Sequence, residues 1–256
     1  MAVSTKQKSI KVFGLDYDNV TLAEAVERME ELIKEKTPQI VLTTGAELVA
    51  RAYKDNELKK IYSSADLLTI DSQVVYFACK LLGRPAKEPV SAAKLMFKFL
   101  ETAELKDYRL FFLGAKEEIL EKAISNLKEK HPNLNIVGHH HGYFDFSQDY
   151  DIIKKINAAK PDVLFVAMSS PLKERFISKN LAKMNVPVSF GVGGTVDIAA
   201  GYCKFAPRWV SKIGLEWFYR FLQEPRRLWK RYATTNLIFM WIVLKEMFGY
   251  EKNSTS

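Results

Sequence analysis

The sequence predicts an α/β fold: a parallel sheet covered on both faces by helices, followed by a basic, aromatic and helical C-terminal appendage. Three observations carry this. Short continuous apolar runs such as QIVLTT (39–44), YRLFFLG (108–114) and DVLFVAM (162–168) alternate with helical patterns of about 10–15 residues, and strands apolar on both sides belong to parallel sheets. Thr43-Thr44, Asp71, Gly114, His139 to Tyr143, Ser169-Ser170 and Gly193-Gly194 close successive runs, at the carboxyl edge where such sheets hold ligands. Composition then changes after residue 203. Lys204, Arg208, Lys212, Arg220, Arg226, Arg227, Lys230 and Arg231 face only Glu216 and Glu224, so most of the net charge of +8 lies there.

A chain of 256 residues, 48% apolar, makes one large domain with an appendage, here divided as 1–203 and 204–256. Cys79 and Cys203 have neither metal nor redox spacing, which suits structural thiols in a reducing compartment. The first residues show no apolar signal-peptide core, and the apolar run Leu237 to Leu244 is far shorter than the roughly 20 residues of a membrane span. The expectation is a cytoplasmic protein that does not cross the membrane.

The elements follow in order. Residues 9–17 read as an edge strand or hairpin arm. Thr21 with Glu24 forms a capping box that opens a helix to about Lys36. After the strand 39–44 come two helical pieces, the strand 66–71, a helix over 72–82 closed by Gly83 and Pro85, and a helix over 90–103. The strand 108–114 leads to an amphipathic helix over 116–130, and LNIVGHHHGYF (134–144) is a strand with a polar exit. A helix over 147–160, the strand 162–168 and a helix over 171–184 complete the series.

The stretch Pro187 to Gly201 joins body and tail. Val188-Ser189-Phe190 is a strand, Gly191-Val192-Gly193-Gly194 breaks it, and a helix restarts at Thr195. Glycines admit close approach, and the first amides of a helix attract phosphate, so Gly193 and Gly194 are candidate phosphate contacts. Asp197, one turn on, is placed to reach a nucleotide. The spacing is not the dinucleotide fingerprint, which argues against a nicotinamide enzyme. Asp71 is either an N-cap for the helix after it or a general base at the ligand edge, with Thr43 beside it. His139, His140 and His141 alternate in direction along a strand and lack a partner ligand, so no metal site is expected. Interleaved aromatics and arginines in the tail suit a helix packed on the body, single-stranded nucleic acid or a membrane surface. The apolar content of Leu228 to Met247 favours the membrane over nucleic acid, and makes self-association of the chain a further expectation.

Taken together, GVGGTVDIAAG (191–201), APRW (206–209) and GLEWFYRFLQEPRR (214–227), supported by YRLFFLGAKE and IVGHHHGYF, resemble the WecG/TagA/CpsF glycosyltransferase family. The resemblance implies a Rossmann-like body binding a UDP-sugar donor, typically of N-acetylmannosamine. It implies a polyprenyl-diphosphate-linked acceptor, and inverting chemistry without a metal or other cofactor. The protein would then sit peripherally on the inner face of the cell membrane and serve cell-surface polymer synthesis. By the same resemblance Asp71 falls on the catalytic base and Thr43 on a phosphate-side threonine. Tyr143 and Asp197 fall near the nucleoside, and Arg220, Arg227 and Lys230 on cations facing the diphosphate.

The departures concentrate at the pocket. Gly45 stands where the family pattern has asparagine, Ser72 where it has glycine, and Lys173 where it has glutamine. Pro89 to Leu95 lacks the pattern's arginine, glycine and acid. Lys173 adds a cation in exchange. The expected activity is glycosyl transfer, and the alternative is a degenerate paralogue that binds a nucleotide sugar or a partner glycosyltransferase without turnover.

Overall fold

Burial follows the apolar runs. β3 (Gln39–Thr44), β4 (Leu67–Ile70), β5 (Leu110–Gly114), β7 (Val163–Ala167) and β8 (Val188–Gly191) are buried at every residue, whereas β6 (Ile136–His140) is only partly covered. The computed structural model describes residues 9–145, 149–204, 206–207, 210, 215–223 and 225–249, with backbone alone at 216–217, 220 and 225–233. The six strands form one parallel sheet in the order β4-β3-β8-β7-β5-β6, which places β6 at an edge and accounts for its exposure. At the other edge β4 is sheltered by an antiparallel hairpin of β1 (Ser9–Val12) and β2 (Leu15–Asp18). The Asp18 carboxylate there accepts the Leu68 amide at 2.8 Å, satisfying an edge donor. Burial nonetheless pushes Asp18 above the usual carboxylate range.

Caps set the helix starts. α1 (Leu22–Glu35) opens on the expected capping box, with Thr21 N–H donating to Glu24 at 2.7 Å and Glu24 N–H to the Thr21 hydroxyl at 3.3 Å. The two helical pieces after β3 are α2 (Ala46–Lys54) and α3 (Asn56–Ser63), separated by Asp55, whose carboxylate caps α3 through the Leu58 amide. Then come α4 (Gln73–Leu81), α5 (Ala92–Leu105), α6 (Glu117–Lys130), α7 (Asp149–Ala159) and α8 (Leu172–Asn180). The short α9 (Thr195–Ala199), α10 (Glu216–Gln223) and the long α11 (Pro225–Met247) complete the chain. Two runs end earlier than their pattern suggests. The helix of 171–184 passes into a 3₁₀ turn at Leu181–Lys183, and the strand of 134–144 stops at His140. Beyond His140 the chain folds back over β5, with Gly142 N–H donating to the Ala115 carbonyl at 2.9 Å.

Two apolar layers sandwich the sheet. The hairpin, α2, α3, α4, α7 and α8 fill one, and α1, α5, α6 and α9 fill the other. Helices therefore leave β3 and β8 towards opposite faces, which opens a crevice at the carboxyl ends of these neighbours.

The end of α11 belongs to the first layer. Phe239, Ile242 and Val243 are buried there, and the Phe239 ring meets Phe13 edge-on at 5.3 Å. Glu246 accepts the Phe13 amide at 2.8 Å and the Arg84 guanidinium at 2.5 Å. The apolar run of 237–244 thus has two faces, because residues three and four apart share a side of a helix. Leu237, Met240, Trp241 and Leu244 point away from the body and are 68%, 60%, 61% and 43% exposed. Among the described residues no helix is long and apolar enough to cross a membrane.

Candidate active site

Asp71 is the first residue beyond β4, held in place by its own amide donating to the Thr44 carbonyl at 2.9 Å. Register sets its neighbour: Thr43 on β3 pairs with Thr69 on β4, so the Thr43 hydroxyl reaches Asp71 Oδ2 at 2.8 Å. The Ala92 amide, first of α5, donates to the same oxygen at 3.3 Å. That loop is itself tied to β4, since Val90 N–H donates to the Ile70 carbonyl at 2.8 Å and Thr69 donates back to Val90. The N-cap of α4 is Ser72, whose hydroxyl accepts the Val75 amide. Of the two readings of Asp71, the helix-cap one therefore falls to its neighbour. The half-buried carboxylate is left at the ligand edge, oriented through one oxygen.

The glycine turn uses part of its backbone within the protein. Val192 and Gly193 N–H groups both donate to the Val166 carbonyl, at 3.0 and 3.3 Å, and Thr195 N–H donates to Val192 at 3.2 Å. The Thr195 hydroxyl also turns inward to Val192, at 2.7 Å. With α9 only five residues long, its dipole is short. What Gly193 contributes is space: it has φ +54°, and a side chain there would project over Met168 and Lys173. Asp197 follows on α9, half-buried.

Lys173 lies under this turn. A Cβ on Gly191 would come within 2.8 Å of Leu42 and 3.3 Å of the Lys173 Cε, so the glycine makes room for the lysine stem. The ammonium is engaged by Glu174, which also accepts the Tyr62 hydroxyl at 2.7 Å. Neither Glu174 nor Tyr62 is marked by the sequence pattern as a site residue. The one available signal is a charged pair, Lys173-Glu174, at the start of a helix that ought to be apolar on its inner side.

Tyr143 stands 71% exposed in the loop after β6, its amide donating to His141 Nδ1 at 3.2 Å. Close contact holds that loop over β5, for a Cβ on Gly142 would meet the Gly114 Cα at 2.9 Å. The His140 and His141 rings lie against each other tilted by 41°, centroids 4.5 Å apart, and among the described residues no group of His, Cys, Asp or Glu has metal-site geometry. Arg220 is carried on α10, and Arg227 and Lys230 on α11, but their side chains lie outside the described residues. A separate cavity of about 330 Å³ between α3 and α8, lined by Glu57, Lys60 and Arg175 among others, includes none of the strand-end residues.

The structure thus brings Thr43 and Asp71 into contact and sets Lys173 against the glycine turn. Residues 10–253 match the glycosyl transferase WecG/TagA/CpsF family. The chain is 30% identical over 251 residues to an N-acetylglucosaminyldiphosphoundecaprenol N-acetyl-beta-D-mannosaminyltransferase of Staphylococcus aureus strain MW2, covering 96% of each chain. Enzymes of the same name from strains NCTC 8325 and COL match to the same extent. With a six-stranded parallel Rossmann-like sheet, an acid at its carboxyl edge and a family match over nearly the whole length, this chain belongs to the WecG/TagA/CpsF family and is a glycosyltransferase.

Proposed function

We propose that the protein transfers an N-acetylmannosamine-like sugar from a UDP-sugar to an acceptor sugar carried on a polyprenyl diphosphate, with inversion and without a metal ion. The observation that carries this is the Thr43–Asp71 contact, a carboxylate fixed by Oδ2 at the edge of the crevice. In a single displacement, Asp71 takes the proton of the acceptor hydroxyl, whose oxygen forms a bond to the anomeric carbon. The bond from that carbon to the UDP oxygen breaks, and UDP leaves with the electron pair. In this reading Thr43 orients the base, and Tyr143 and Asp197 lie beside the nucleoside. Gly193 and Gly194 leave room for the diphosphate, and Lys173, Arg220, Arg227 and Lys230 balance its charge. The named activity of the staphylococcal relatives supports the acceptor class. The outward apolar face of α11, close behind the basic segment, supports peripheral attachment to the inner face of the cell membrane.

Binding of a nucleotide sugar without turnover is the outcome the test must exclude. One assay separates the two. Purified protein is given UDP-N-acetylmannosamine and a short-chain lipid-diphosphate N-acetylglucosamine, and product is followed beside UDP binding. Product formation supports transfer; UDP binding with no product on any of a panel of UDP-sugars overturns it.

A further inference from the structure

A buried lysine in the first turn of a helix is opposed twice, by loss of water and by the positive end of the helix dipole. Lys173 occupies that place in α8, nearly inaccessible, with its ammonium engaged by the neighbouring Glu174. Glu174 is fully buried; Oε1 accepts both the ammonium and the Tyr62 hydroxyl, and Oε2 is buried with no hydrogen-bond partner. Burial first, and then the facing Glu174 charge, push the Tyr62 hydroxyl well above the ordinary tyrosine range, so it stays a donor.

As a stabilising device this cluster is poor. An apolar pair of the same volume would fill the space without desolvating two charges, and an unpartnered carboxylate oxygen adds its own penalty. Its position is informative. The Lys173 stem runs along the underside of the glycine turn, with Cε 3.3 Å from where a Gly191 Cβ would lie and 4.0 Å from that of Gly193. The turn's amides at Val192, Gly193 and Thr195 are engaged within the protein, so a cation held beneath them adds positive charge that those amides do not offer at that end of β8.

We propose that Glu174 and Tyr62 are positioning residues for Lys173, holding its ammonium beneath Gly191–Gly194 where the negative charge of a departing diphosphate develops. Glu174 and the Tyr62 hydroxyl fix the lysine from the core side, so its charge needs no reorganisation when the sugar–phosphate bond breaks. The inference rests on the reading above that a nucleoside diphosphate is the leaving group.

Two variants of the full chain test it. Lys173→Met with Glu174→Gln removes both charges together, leaving neither ion uncompensated. Its melting temperature should match or exceed that of the wild type, and its uridine affinity should be unchanged. UDP affinity should fall about tenfold or more, as expected for loss of one charged contact. Glu174→Asp keeps the charge but withdraws it by one methylene, and should lower kcat with little change in KM. In a Lys173→Met background it should have no further effect, since it acts through the lysine. Wild-type UDP affinity in the double variant, parallel weakening of uridine and UDP, or unaltered kcat in Glu174→Asp would each overturn the proposal. Failure of the wild type to bind UDP at all would instead remove the diphosphate reading itself.

Discussion

The Thr43 hydroxyl donates to Asp71 Oδ2 at 2.8 Å across two adjacent strands, and the Ala92 amide meets the same oxygen. Asp71→Asn should therefore reduce sugar transfer by about 10²–10⁴-fold, the range for loss of a general base, while UDP binding holds. Since Ser72 caps α4, the melting temperature should change little. Thr43→Val should lower transfer less, and Thr43→Ser should restore it. Normal turnover in Asp71→Asn would rule out the base.

Metal chelation gives a second check. The histidines of 139–141 are divided among an edge strand, a tilted ring contact and a loop hydrogen bond, and no metal-site grouping occurs among the described residues. Transfer should survive EDTA and gain nothing from manganese or magnesium. Activity lost to EDTA and recovered with either ion contradicts this.

The two faces of α11 should separate in mutagenesis. Phe239→Ala, on the inner face against Phe13, should destabilise the fold by about 3–5 kcal/mol, the range for a large core truncation. Trp241→Ser with Leu244→Ser, on the outer face, should leave the melting temperature near wild type but reduce sedimentation with anionic vesicles. Undiminished sedimentation of that pair would show that the outer face is not what meets lipid.

The buried thiol of Cys79 reports on alkaline stability. Burial first, and then the nearby Glu246, push it from 9.0 to about 12. The unfolded chain thus loses this proton before the folded one does, so the stability the thiol contributes is complete below pH 9 and declines between 9 and about 12. Tyr17 and Tyr62, both raised by burial, steepen the alkaline loss. Denaturant midpoints against pH should fall above pH 9, and less steeply in Cys79→Ala. At pH 8, Ellman's reagent should spare Cys79 until the protein unfolds; rapid reaction of the native thiol would contradict the buried assignment.

The sheet was legible because each central strand is apolar on both sides, and only a parallel sheet with two helical layers buries such strands. The capping box of α1 and the acid after β4 were equally open, being local patterns of residue type and spacing. What the sequence concealed depends on contacts between distant segments. Nothing local in GVGGT shows that the Val166 carbonyl of β7 takes up the Val192 and Gly193 amides and the Val192 carbonyl that of Thr195. The apolar run of 237–244 reads as one surface until the helix is seen between Phe13 and solvent. Lys173 reads as one more cation at the pocket until Tyr62, distant in the chain, is found on the same carboxylate.

The contact of Glu246 with Phe13 joins positions 233 residues apart. A ribosome therefore releases the first hairpin long before the helix that completes its cover. During synthesis Phe13 must wait, exposed or loosely sheltered, while the whole sheet assembles, and such long-range closure is slow to form. The helix that presents Trp241 to the outside is also the one that finishes the core. A nascent chain consequently acquires its outward apolar face and its completed interior in the same late step, not as an unfinished body already carrying a greasy handle.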